Sequence, residues 1–494
     1  MKKVKKLQAF LVAVLLAAAS ISSISSSAAF DLENLPEDVF VYDNWLYTSS
    51  LDDNSVTLIG VVDRTVTSVT VPAEINGIPV TDLVDGSVSY RKHLDFGSCY
   101  NLKEILVDEE SEYFEVVDGV LVSKLFREVY AYPRACEKEV YTTPENVYTV
   151  DDIFDYCHNL KELTISETMS KNQNSSGTVT HCNSLEKITT MGVLSIVSFR
   201  NCPNLKEINL KAPEEPALVT AMRFTGLESL ETLSVPENYE IYSTLLIQSC
   251  PELRELSLPC DVVGNAEVFV VGCDSLETLD LSEIDVKSPV QKGSLESIDY
   301  PDDYFKQAKL TVANCSKLKE LKLMNFKECT ITDCPELTSL SFDENVKFAS
   351  VKLQSRNSGL QDLYFYSPNY SVGIIDSKYD YPNCDYSAQG LNSDYLALAD
   401  MGVTIHCRRD DTDEQDMCER HNIPYVIIED EIVPGDVGND GELDILDVVM
   451  LNRVVVGVDK ANPSKVLAGD LNGNGKLELT DSMAILRKLV GLDA

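Results

Sequence analysis

Residue types that carry several common chemistries are scarce in this sequence. Of its 494 residues, one is tryptophan (Trp45) and five are histidine. A single tryptophan argues against a carbohydrate site built as a tryptophan platform. No two of the 14 cysteines are separated by two residues, which, with so few histidines, argues against a zinc site of common ligand spacing.

Signatures of catalysis are also missing. No nucleophile-elbow serine, no catalytic cysteine and histidine signature and no phosphate-cradling glycine loop occurs in the sequence. A glycosidase needs two opposed carboxylates in a cleft, and among 80 acidic residues no pair stands out. We therefore expect residues 40–430 to contain no catalytic residues.

Basic residues and long apolar runs are few as well. The 41 basic residues are outnumbered by 80 acidic ones, and the net charge of −39 repels nucleic acid and anionic membranes. The run 9–19 is shorter than the ~20 residues that span a bilayer, which argues against a membrane anchor. It follows a basic head and precedes a serine-rich stretch ending at Ala29, the layout of a secretory signal peptide over residues 1–29. We expect a secreted, extracellular chain with no membrane span.

Two copies of a twelve-residue pattern, 436–447 and 470–481, lie near the C-terminus. Oxygen-bearing side chains recur at positions 1, 5, 9 and 12 of both, with Gly441 and Gly475 at position 6, as a calcium loop requires. Position 7 of each loop contributes its backbone carbonyl, so that residue needs no particular side chain. The duplication argues against two ordinary acidic turns. The candidate calcium ligands are Asp436, Asp440, Glu442, Asp444 and Asp447 in the first loop, and Asp470, Asn472, Asn474, Lys476, Glu478 and Asp481 in the second.

Each loop is followed by an apolar segment of helix length, and the two segments align, Val449 with Met483 and Leu451 with Ile485. This arrangement resembles a type I dockerin domain, over residues 431–494. The resemblance implies two bound Ca²⁺ ions and docking onto a cohesin module of a scaffoldin in a cellulosome. Gly438 stands at position 3, where the family has a side-chain oxygen, which implies a weaker or water-mediated first site.

The same resemblance implies the residues that touch the cohesin, at loop positions 10 and 11 and helix positions 17 and 18. They are Ile445, Leu446, Asn452 and Arg453 in the first copy, and Leu479, Thr480, Leu486 and Arg487 in the second. An apolar pair flanked by arginine suits a partner with a hydrophobic patch and an acidic rim. We expect one copy to dominate binding, and favour the second because its loop has the fuller ligand set.

The chain upstream repeats a Cys-x-x-Leu pattern, clearest at Cys202 and Leu205. The leading leucines recur at intervals of about 19 to 25 residues, the length of one coil of a leucine-rich solenoid. They are Leu160, Leu185, Leu205, Leu230, Leu253, Leu276, Leu295, Leu318, Leu337 and Leu360. One coil cannot bury its apolar face alone, so we expect neighbouring coils to stack into one core, each adding a strand to a parallel sheet.

This pattern resembles the BspA-like leucine-rich repeats of bacterial surface proteins. Residues 66–83 resemble the N-terminal cap of that family, 118–133 its hairpin insertion and 404–428 its C-terminal cap. The resemblance implies an N-terminal cap over 30–90, repeats over 91–370 and a C-terminal cap over 371–430.

Eight cysteines share one repeat position, which predicts a column inside the core where each packs as a small hydrophobe. Disulfides between column neighbours stay an alternative, and the state of the six other cysteines is open. Tyrosines concentrate between Tyr364 and Tyr395. They favour a half-exposed strand surface, or else a site for a protein or carbohydrate ligand.

Together these patterns predict a leucine-rich-repeat β-solenoid, with one parallel strand per repeat, followed by a small all-α dockerin domain of two loop-helix units. The predicted function is a secreted, non-catalytic binding protein that a calcium-dependent dockerin attaches to a scaffoldin of an extracellular polysaccharide-degrading complex, on or near the cell surface. The alternative is a dockerin-borne hydrolase acting on glycosidic bonds in polysaccharide breakdown, since dockerins commonly carry such enzymes.

Overall fold

A computed structural model gives the fold of most of the chain. It describes residues 35, 38–50, 54–83, 99–145, 147, 150–167, 176–287, 308–323, 326, 328–342, 349–354, 359–365, 370–375, 398–399, 401–408, 412–428, 434–437, 443–458 and 468–490. The predicted signal peptide, residues 1–29, lies outside these ranges, as do Asp440, Glu442 and Leu295. The chain divides into two compact units, Met1–Leu185 and Glu186–Ala494.

The first unit consists of short strands. Their bounds are β1 Phe40–Tyr42, β2 Trp45–Ser50, β3 Ser55–Val61, β4 Ser68–Val71, β5 Glu74–Ile75, β6 Ile78–Leu83, β7 Glu104–Val107, β8 Phe114–Val117, β9 Val120–Ser123, β10 Val129–Ala131, β11 Val140–Thr142, β12 Val150–Asp155, β13 Glu162–Ile165 and β14 Ser176–Thr180. One sheet has the order β1-β2-β3-β6-β5, and β4 pairs parallel with β7. Trp45 is buried in this unit and its Nε1 donates to the Thr70 carbonyl oxygen at 2.9 Å. The only tryptophan is therefore a core residue.

The predicted hairpin lies at β8 and β9, which pair antiparallel across Asp118 and Gly119. Both turn residues have positive φ, 51° and 96°, as a two-residue hairpin turn requires. Strand β10 pairs with the other side of β9. The Asp-Gly sequence thus places a local antiparallel sheet within the repeats.

The second unit is a parallel β-solenoid. Its strands are β15 Lys187–Thr190, β16 Ile196–Arg200, β17 Glu207–Asn209, β18 Ala217–Thr225, β19 Thr232–Ser234, β20 Tyr239–Gln248, β21 Glu255–Ser257, β22 Asp261–Val263, β23 Glu267–Val271, β24 Thr278–Asp280, β25 Val286–Lys287, β26 Lys309–Ala313, β27 Glu320–Leu323, β28 Glu328–Thr332, β29 Ser339–Phe342, β30 Ala349–Gln354, β31 Asp362–Phe365, β32 Tyr370–Ile375, β33 Thr404–Arg408 and β34 Tyr425–Ile428. Its longest parallel ladder runs β16-β18-β20-β23-β26-β28-β30-β32.

A second ladder runs on another side of the coils. It includes the paired strands β15 and β17, β19 and β21, and the six-stranded sheet β24-β27-β29-β31-β33-β34. The strands that the sequence predicts after the leading leucines together form this second ladder. The longer ladder, which lies before the repeat cysteine, adds a further strand to each coil that the pattern did not predict.

The Cys-x-x-Leu pattern forms a tight turn between the two ladders. The leucine N–H donates to the carbonyl oxygen of the cysteine three residues earlier, for example Leu205 to Cys202 and Leu253 to Cys250, both at 3.1 Å. Every leading leucine that the structure describes is buried, which confirms the repeat register at those positions. The prediction of a separate coil at Leu295 is wrong, because β23 pairs directly with β26 and β24 with β27, which leaves no place for another strand in either ladder. The eight repeat cysteines are buried and unbridged.

The residue immediately before this turn has a left-handed backbone in coil after coil. In the second unit its φ lies between 53° and 67° at Asn201, Gly226, Ser249, Gly272, Asn314 and Asp333. Glycine, asparagine and aspartate tolerate this conformation best. At Gly226 a Cβ atom would lie 2.6 Å from the Asn201 side-chain oxygen of the neighbouring coil, so this corner needs glycine for space as well.

Helices are confined to the C-terminal part of the described chain. Three of them are α1 Thr412–His421, between β33 and β34, and the pair α2 Ile445–Val455 and α3 Leu479–Leu489, and residues 398–399, 401 and 468–469 are helical as well. None of the helices that the structure describes is long and apolar enough to cross a membrane.

Candidate calcium loops and docking face

The second loop is described from end to end, and its backbone folds around the side chain of Asp470. Asp470 Oδ1 accepts a hydrogen bond from the Asn474 N–H at 3.0 Å, and its Oδ2 accepts from the Gly475 N–H at 2.5 Å. Gly473 and Gly475 have φ of 72° and 79°. These left-handed residues allow the sharp turn that a calcium loop needs at its sixth position.

The two asparagines of this loop hold its middle. Asn472 Oδ1 accepts from the Asn474 N–H at 3.1 Å, and Asn474 Oδ1 accepts from the Lys476 N–H at 2.9 Å. Their amide groups donate across the loop, Asn472 Nδ2 to Asp481 Oδ1 at 2.8 Å and Asn474 Nδ2 to Glu478 Oε1 at 2.6 Å. Asp470, Asn472, Asn474, Glu478 and Asp481 thus form one hydrogen-bonded network.

Asp481 is the most enclosed acid of the network, with 0% of its surface exposed. Its Oδ2 accepts from the Glu478 N–H at 3.0 Å at the start of α3, and its Oδ1 faces Asn472. Burying a carboxylate is costly unless it is paired with positive charge or well hydrogen-bonded. A bound divalent cation would supply the positive charge at this position.

The first loop is described only in part, and its described residues make the same contacts as their counterparts in the second loop. Asp447 is buried, and its Oδ2 accepts from the Asp444 N–H at 2.8 Å, as Asp481 accepts from Glu478. Asp444 Oδ1 caps α2 by accepting from the Leu446 N–H at 2.6 Å. Asp436 is also buried, and it is 4% exposed.

The donor set fits calcium by its chemistry, because it consists of carboxylate, amide and backbone oxygens. Within the ranges described, however, no three histidine, cysteine, aspartate or glutamate side chains converge as a metal-binding group. Each asparagine amide of the loop donates to one carboxylate, Asn472 to Asp481 and Asn474 to Glu478.

The two loop-helix units pack through a small core. Val437, Val448, Leu451 and Ile485 are fully buried there, and several other apolar side chains pack around them. Gly435 and Gly469, which precede the two loops, are part of this packing. A Cβ atom on either would lie 2.8 Å from a leucine of its own loop, Leu443 or Leu477. These paired glycines are a repeated sequence signal that lies just outside the twelve-residue pattern.

The residues predicted to contact the cohesin differ in how much of their surface is exposed to solvent. Ile445, Leu446 and Leu479 are 56%, 53% and 61% exposed, and Thr480, Arg453 and Arg487 are exposed as well. Leu486 is half-buried and packs against the core of the helix pair. Asn452 Oδ1 accepts from Ser482 Oγ at 2.9 Å, which ties α2 to α3.

The structure adds Val449 and Met483 to the exposed face, at 49% and 59%. On α3, Met483 lines a surface hollow of about 370 Å³ with Leu479, Thr480, Ala484 and Arg487. The alignment of Val449 with Met483 was the sequence signal for these residues.

The tyrosine-rich stretch is described mainly at Tyr364. Its ring stacks on His406 at 4.0 Å between centroids, and His406 Nε2 lies 2.7 Å from Asp362 Oδ1. Tyr366, Tyr379, Tyr381, Tyr386 and Tyr395 lie outside the described residues. A ligand site in this stretch stays a prediction.

A second polar cluster lies in the first unit around Asp155. Its carboxylate pairs with Arg134 Nη2 at 2.9 Å and accepts from Thr180 Oγ1 at 2.7 Å, and His181 Nδ1 lies 3.1 Å away. Burial raises the pKa of Asp155, but the hydrogen bonds to His181 and Thr180 and the charge of Arg134 outweigh it and hold this pKa below its usual range. The ring of Tyr156 stacks on His181 at 4.5 Å.

Comparison with known families matches both parts of the chain. Residues 434–490 match the dockerin type I domain. Residues 129–215 and 197–319 match the BspA type leucine rich repeat region, in 6 copies. No curated protein matches the sequence.

Solved structures were matched as well. A leucine rich cell surface protein from Faecalibacterium prausnitzii is 19% identical with a TM-score of 0.25, over 47% of this chain and 49% of that one, so the chain spans about half of its length. A leucine-rich repeat protein from Bacteroides ovatus is 14% identical with a TM-score of 0.28, over 79% and 100% of the two chains. The pneumococcal vaccine antigen PcpA is 11% identical with a TM-score of 0.22, over 79% and 99%. Similarities at this level carry no argument.

Proposed function

The chain carries a BspA-type leucine-rich repeat region and a C-terminal type I dockerin domain, and we propose that it is a non-catalytic binding protein attached to a scaffold. The repeat region is the binding part and the dockerin docks onto a cohesin module of a scaffoldin. The chain is exported and acts outside the cell, in a cellulosome-type complex that degrades polysaccharides. The observation that carries the proposal is the duplicated loop-helix unit, whose helices leave apolar side chains exposed.

Type I dockerin domains generally bind calcium, and we propose two ions here, one in each loop. In the second loop the ligands are Asp470, Asn472, Asn474, the Lys476 carbonyl and Asp481, with Glu478 at the position that often binds through water. The hydrogen bonds to the Asp470 and Asp481 carboxylates support this, because they fix both ends of the loop around a common interior. The first ion takes Asp436, Asp440, the Glu442 carbonyl, Asp444 and Asp447, and binds more weakly because Gly438 lacks a side-chain oxygen.

The proposed cohesin surface is the exposed face of α3. Leu479, Thr480, Met483 and Arg487 recur at helical spacing on the side opposite the buried Asp481, Ser482 and Ile485. The hollow between them accepts an apolar side chain of the partner, and Arg487 at its edge favours an acidic group beside it. Met483 replaces Leu486 as the central contact, since Leu486 packs inward.

The face of α2 is the weaker of two related docking surfaces in this proposal. Ile445, Leu446, Val449 and Arg453 occupy the equivalent positions and are exposed. The face of α3 contains the hollow described above, and its loop carries the fuller ligand set. Both reasons favour the second copy.

The test measures affinity for a panel of purified type I cohesin modules in calcium, using the full chain. Leu479→Asp with Met483→Asp should weaken binding by about 30- to 1,000-fold, because two contact side chains that become buried in the complex are each worth about 1 to 2 kcal/mol. Ile445→Asp with Val449→Asp should weaken it less. Leu218→Asp, a matched change at a 59% exposed leucine of the repeat region, should leave affinity unchanged.

Larger losses from the α2 pair would transfer the proposal to the first copy, and no loss from either pair would reject the docking face. The non-catalytic role is tested separately, by incubating the chain with cellulose, xylan and pectin. Release of reducing sugar would favour the hydrolase alternative. Using the chain as bait in the native secretome would then identify what the repeat region binds.

A further inference from the structure

A β-bulge interrupts the two longest strands of the second unit, β18 and β20, which have 9 and 10 residues and lie side by side. Val219 pairs with Ile241, but Ala221 pairs with Thr244, so β20 contains one extra residue at this point. Bulges re-aim the side chains beside them and are common next to active sites. The bulge thus marks a part of the longer ladder that departs from the regular stacking of the coils.

Hydroxyl groups from three neighbouring coils meet at the bulge. Tyr242 Oη lies 3.0 Å from Thr220 Oγ1, and Thr220 Oγ1 lies 3.1 Å from Ser195 Oγ. On the bulged strand, Ser243 Oγ lies 3.3 Å from Thr244 Oγ1. Tyr242 is 45% exposed although Thr220 holds its hydroxyl. A ring that is already held in place at the surface loses little freedom when a ligand packs on it.

Two arginines lie farther along the same face of the ladder. Phe199 and Phe224 are buried and in register, with ring centroids 6.0 Å apart. Their strand neighbours Arg200, Arg223 and Thr225 therefore point to the outer face. Arg200 is in register with Thr225, two residues beyond Arg223, so the Cα atoms of the two arginines are about 8 Å apart. Both arginines are half-exposed, and one ligand can reach both.

Arg223 has a positive charge with which no acidic side chain pairs in the described part of the chain. Burial and the like charge of Arg200 lower the pKa of Arg223. By contrast, the Glu240 carboxylate on β20 lies 2.9 Å from Lys287 Nζ, which offsets its charge. Since arginine binds a carboxylate through two parallel N–H donors, Arg223 favours a ligand with such a group.

The end of the same face offers further polar groups. Thr225 Oγ1 is buried and, among the residues that the structure describes, has no hydrogen-bond partner. Gln248 of the next coil is half-exposed and in register with Thr225. Buried polar groups are rarely left without a partner, so a ligand hydroxyl that enters between these side chains gains a hydrogen bond there.

These side chains form one surface, here called the ladder strip, which consists of Arg200, Thr220, Arg223, Thr225, Tyr242 and Gln248. We propose that the ladder strip binds a polysaccharide in which isolated sugar units carry a carboxylate, an inference that rests on the proposed binding role of the repeat region. The Tyr242 ring packs on the apolar face of one sugar unit, and Arg223 binds the carboxylate. The strip extends about 16 Å from Thr220 to Thr225, which is longer than one sugar unit. A polysaccharide with a carboxylate on every unit is disfavoured, because the chain as a whole has a net charge of −39.

The experiment compares two forms of one ligand by titration calorimetry with the full chain in calcium. The first is glucuronoxylan, a xylan with occasional uronic acid units, and the second is the same xylan after its carboxylates are reduced to alcohols. We expect affinity for the reduced form to be about 10- to 100-fold lower, which is the loss that one hydrogen bond to a charged group produces.

Three variants assign the contacts. Arg223→Gln should bind both forms with the lower affinity, because the group that distinguishes them is gone. Tyr242→Ala should weaken binding of both forms by a similar factor and keep the preference. Lys309→Gln removes an exposed positive charge elsewhere on the same ladder and should change neither affinity.

Equal affinity of the unaltered chain for the two xylans, or no binding of either, would overturn the proposal, and this comparison does not require any variant to fold. Preference for an acidic peptide over both xylans, lost in Arg223→Gln, would overturn it in favour of a protein partner. Cohesin affinity, measured on the same preparations, separates the inference from the proposed attachment. Missing xylan binding with normal cohesin binding rejects the ladder strip alone, and the reverse result rejects the attachment alone.

Discussion

Replacing Asp481 by alanine gives the sharpest test of the calcium loops. This carboxylate is fully buried and accepts hydrogen bonds from the Glu478 N–H and from the Asn472 amide. In chelator, the change removes a bond at the start of α3 that is worth about 1 kcal/mol. It also removes a buried negative charge near other carboxylates, which offsets part of that loss. We therefore expect only a small effect without calcium.

In calcium the effect should be much larger. At a free ion concentration of about 100 times the dissociation constant, one bound ion stabilises the folded form by about 2.7 kcal/mol. For residues 468–490 this corresponds to about 100-fold slower exchange of backbone amide hydrogens. Asp481→Ala should abolish that calcium-dependent slowing in this segment.

Hydrogen exchange of the full chain, in calcium and in chelator, measures the slowing, and titration calorimetry counts the ions. Unaltered protein should bind two ions, Asp481→Ala one, and the double variant with Asp447→Ala none. The matched single variant Asp447→Ala tests whether each loop has its own ion. Two ions bound with unchanged affinity by Asp481→Ala would refute the ligand assignment, as would exchange rates insensitive to calcium in the unaltered chain.

Three further outcomes follow from the fold. Leu318→Ala, at a leading leucine with no exposed surface, should cost about 2 to 5 kcal/mol in urea unfolding followed by circular dichroism; a neutral result would contradict the repeat register. Because the pKa of Asp155 is lowered in the folded chain, its stabilising effect is present above pH ~4 and is lost as pH falls through the folded pKa. Asp155→Asn should thus be less stable at neutral pH and lose less stability between about pH 4 and 2 in melts across that range. Gly226→Ala should destabilise more than Gly402→Ala, since both have positive φ but only the former Cβ atom meets Asn201; equal melting temperatures would contradict this.

The sequence predicted the corners of the solenoid better than its strands. Cys-x-x-Leu recurs because the turn needs a buried apolar group, a backbone hydrogen bond and a filled core position at fixed spacing; in one coil Leu227 takes the place of the cysteine. The longer ladder has no such constraint. Its buried positions three residues before the turn are filled by different types, Phe199, Ile247, Val270 and Ile331 among them. Any large apolar side chain can fill those positions. No single residue type therefore recurs in the sequence to indicate the strand.

The docking face shows a different limit of prediction from the sequence. Helical spacing places positions 14 and 17 of each unit on neighbouring stripes, and only packing decides which stripe points outward. In α3 the helix turns Leu486 toward the core and leaves Met483 exposed. On α2, the hydrogen bond from Ser482 Oγ to Asn452 Oδ1 likewise turns Asn452 toward the other helix. Cohesin contacts that are assigned from positions in the family pattern could not take these pairings into account, because the pairings depend on both helices at once.

The register of the longer ladder has a mechanical consequence for a protein held by one end. The hydrogen bonds between β16, β18, β20 and β23 run from coil to coil, so a pull directed along the stack loads each ladder in turn. The hydrogen bonds of one interface then break a few at a time, and they do not resist together as they would in a sheet pulled along its strands. Such a stack lengthens in steps of one coil under tension, and each released coil can snap back when the pull relaxes.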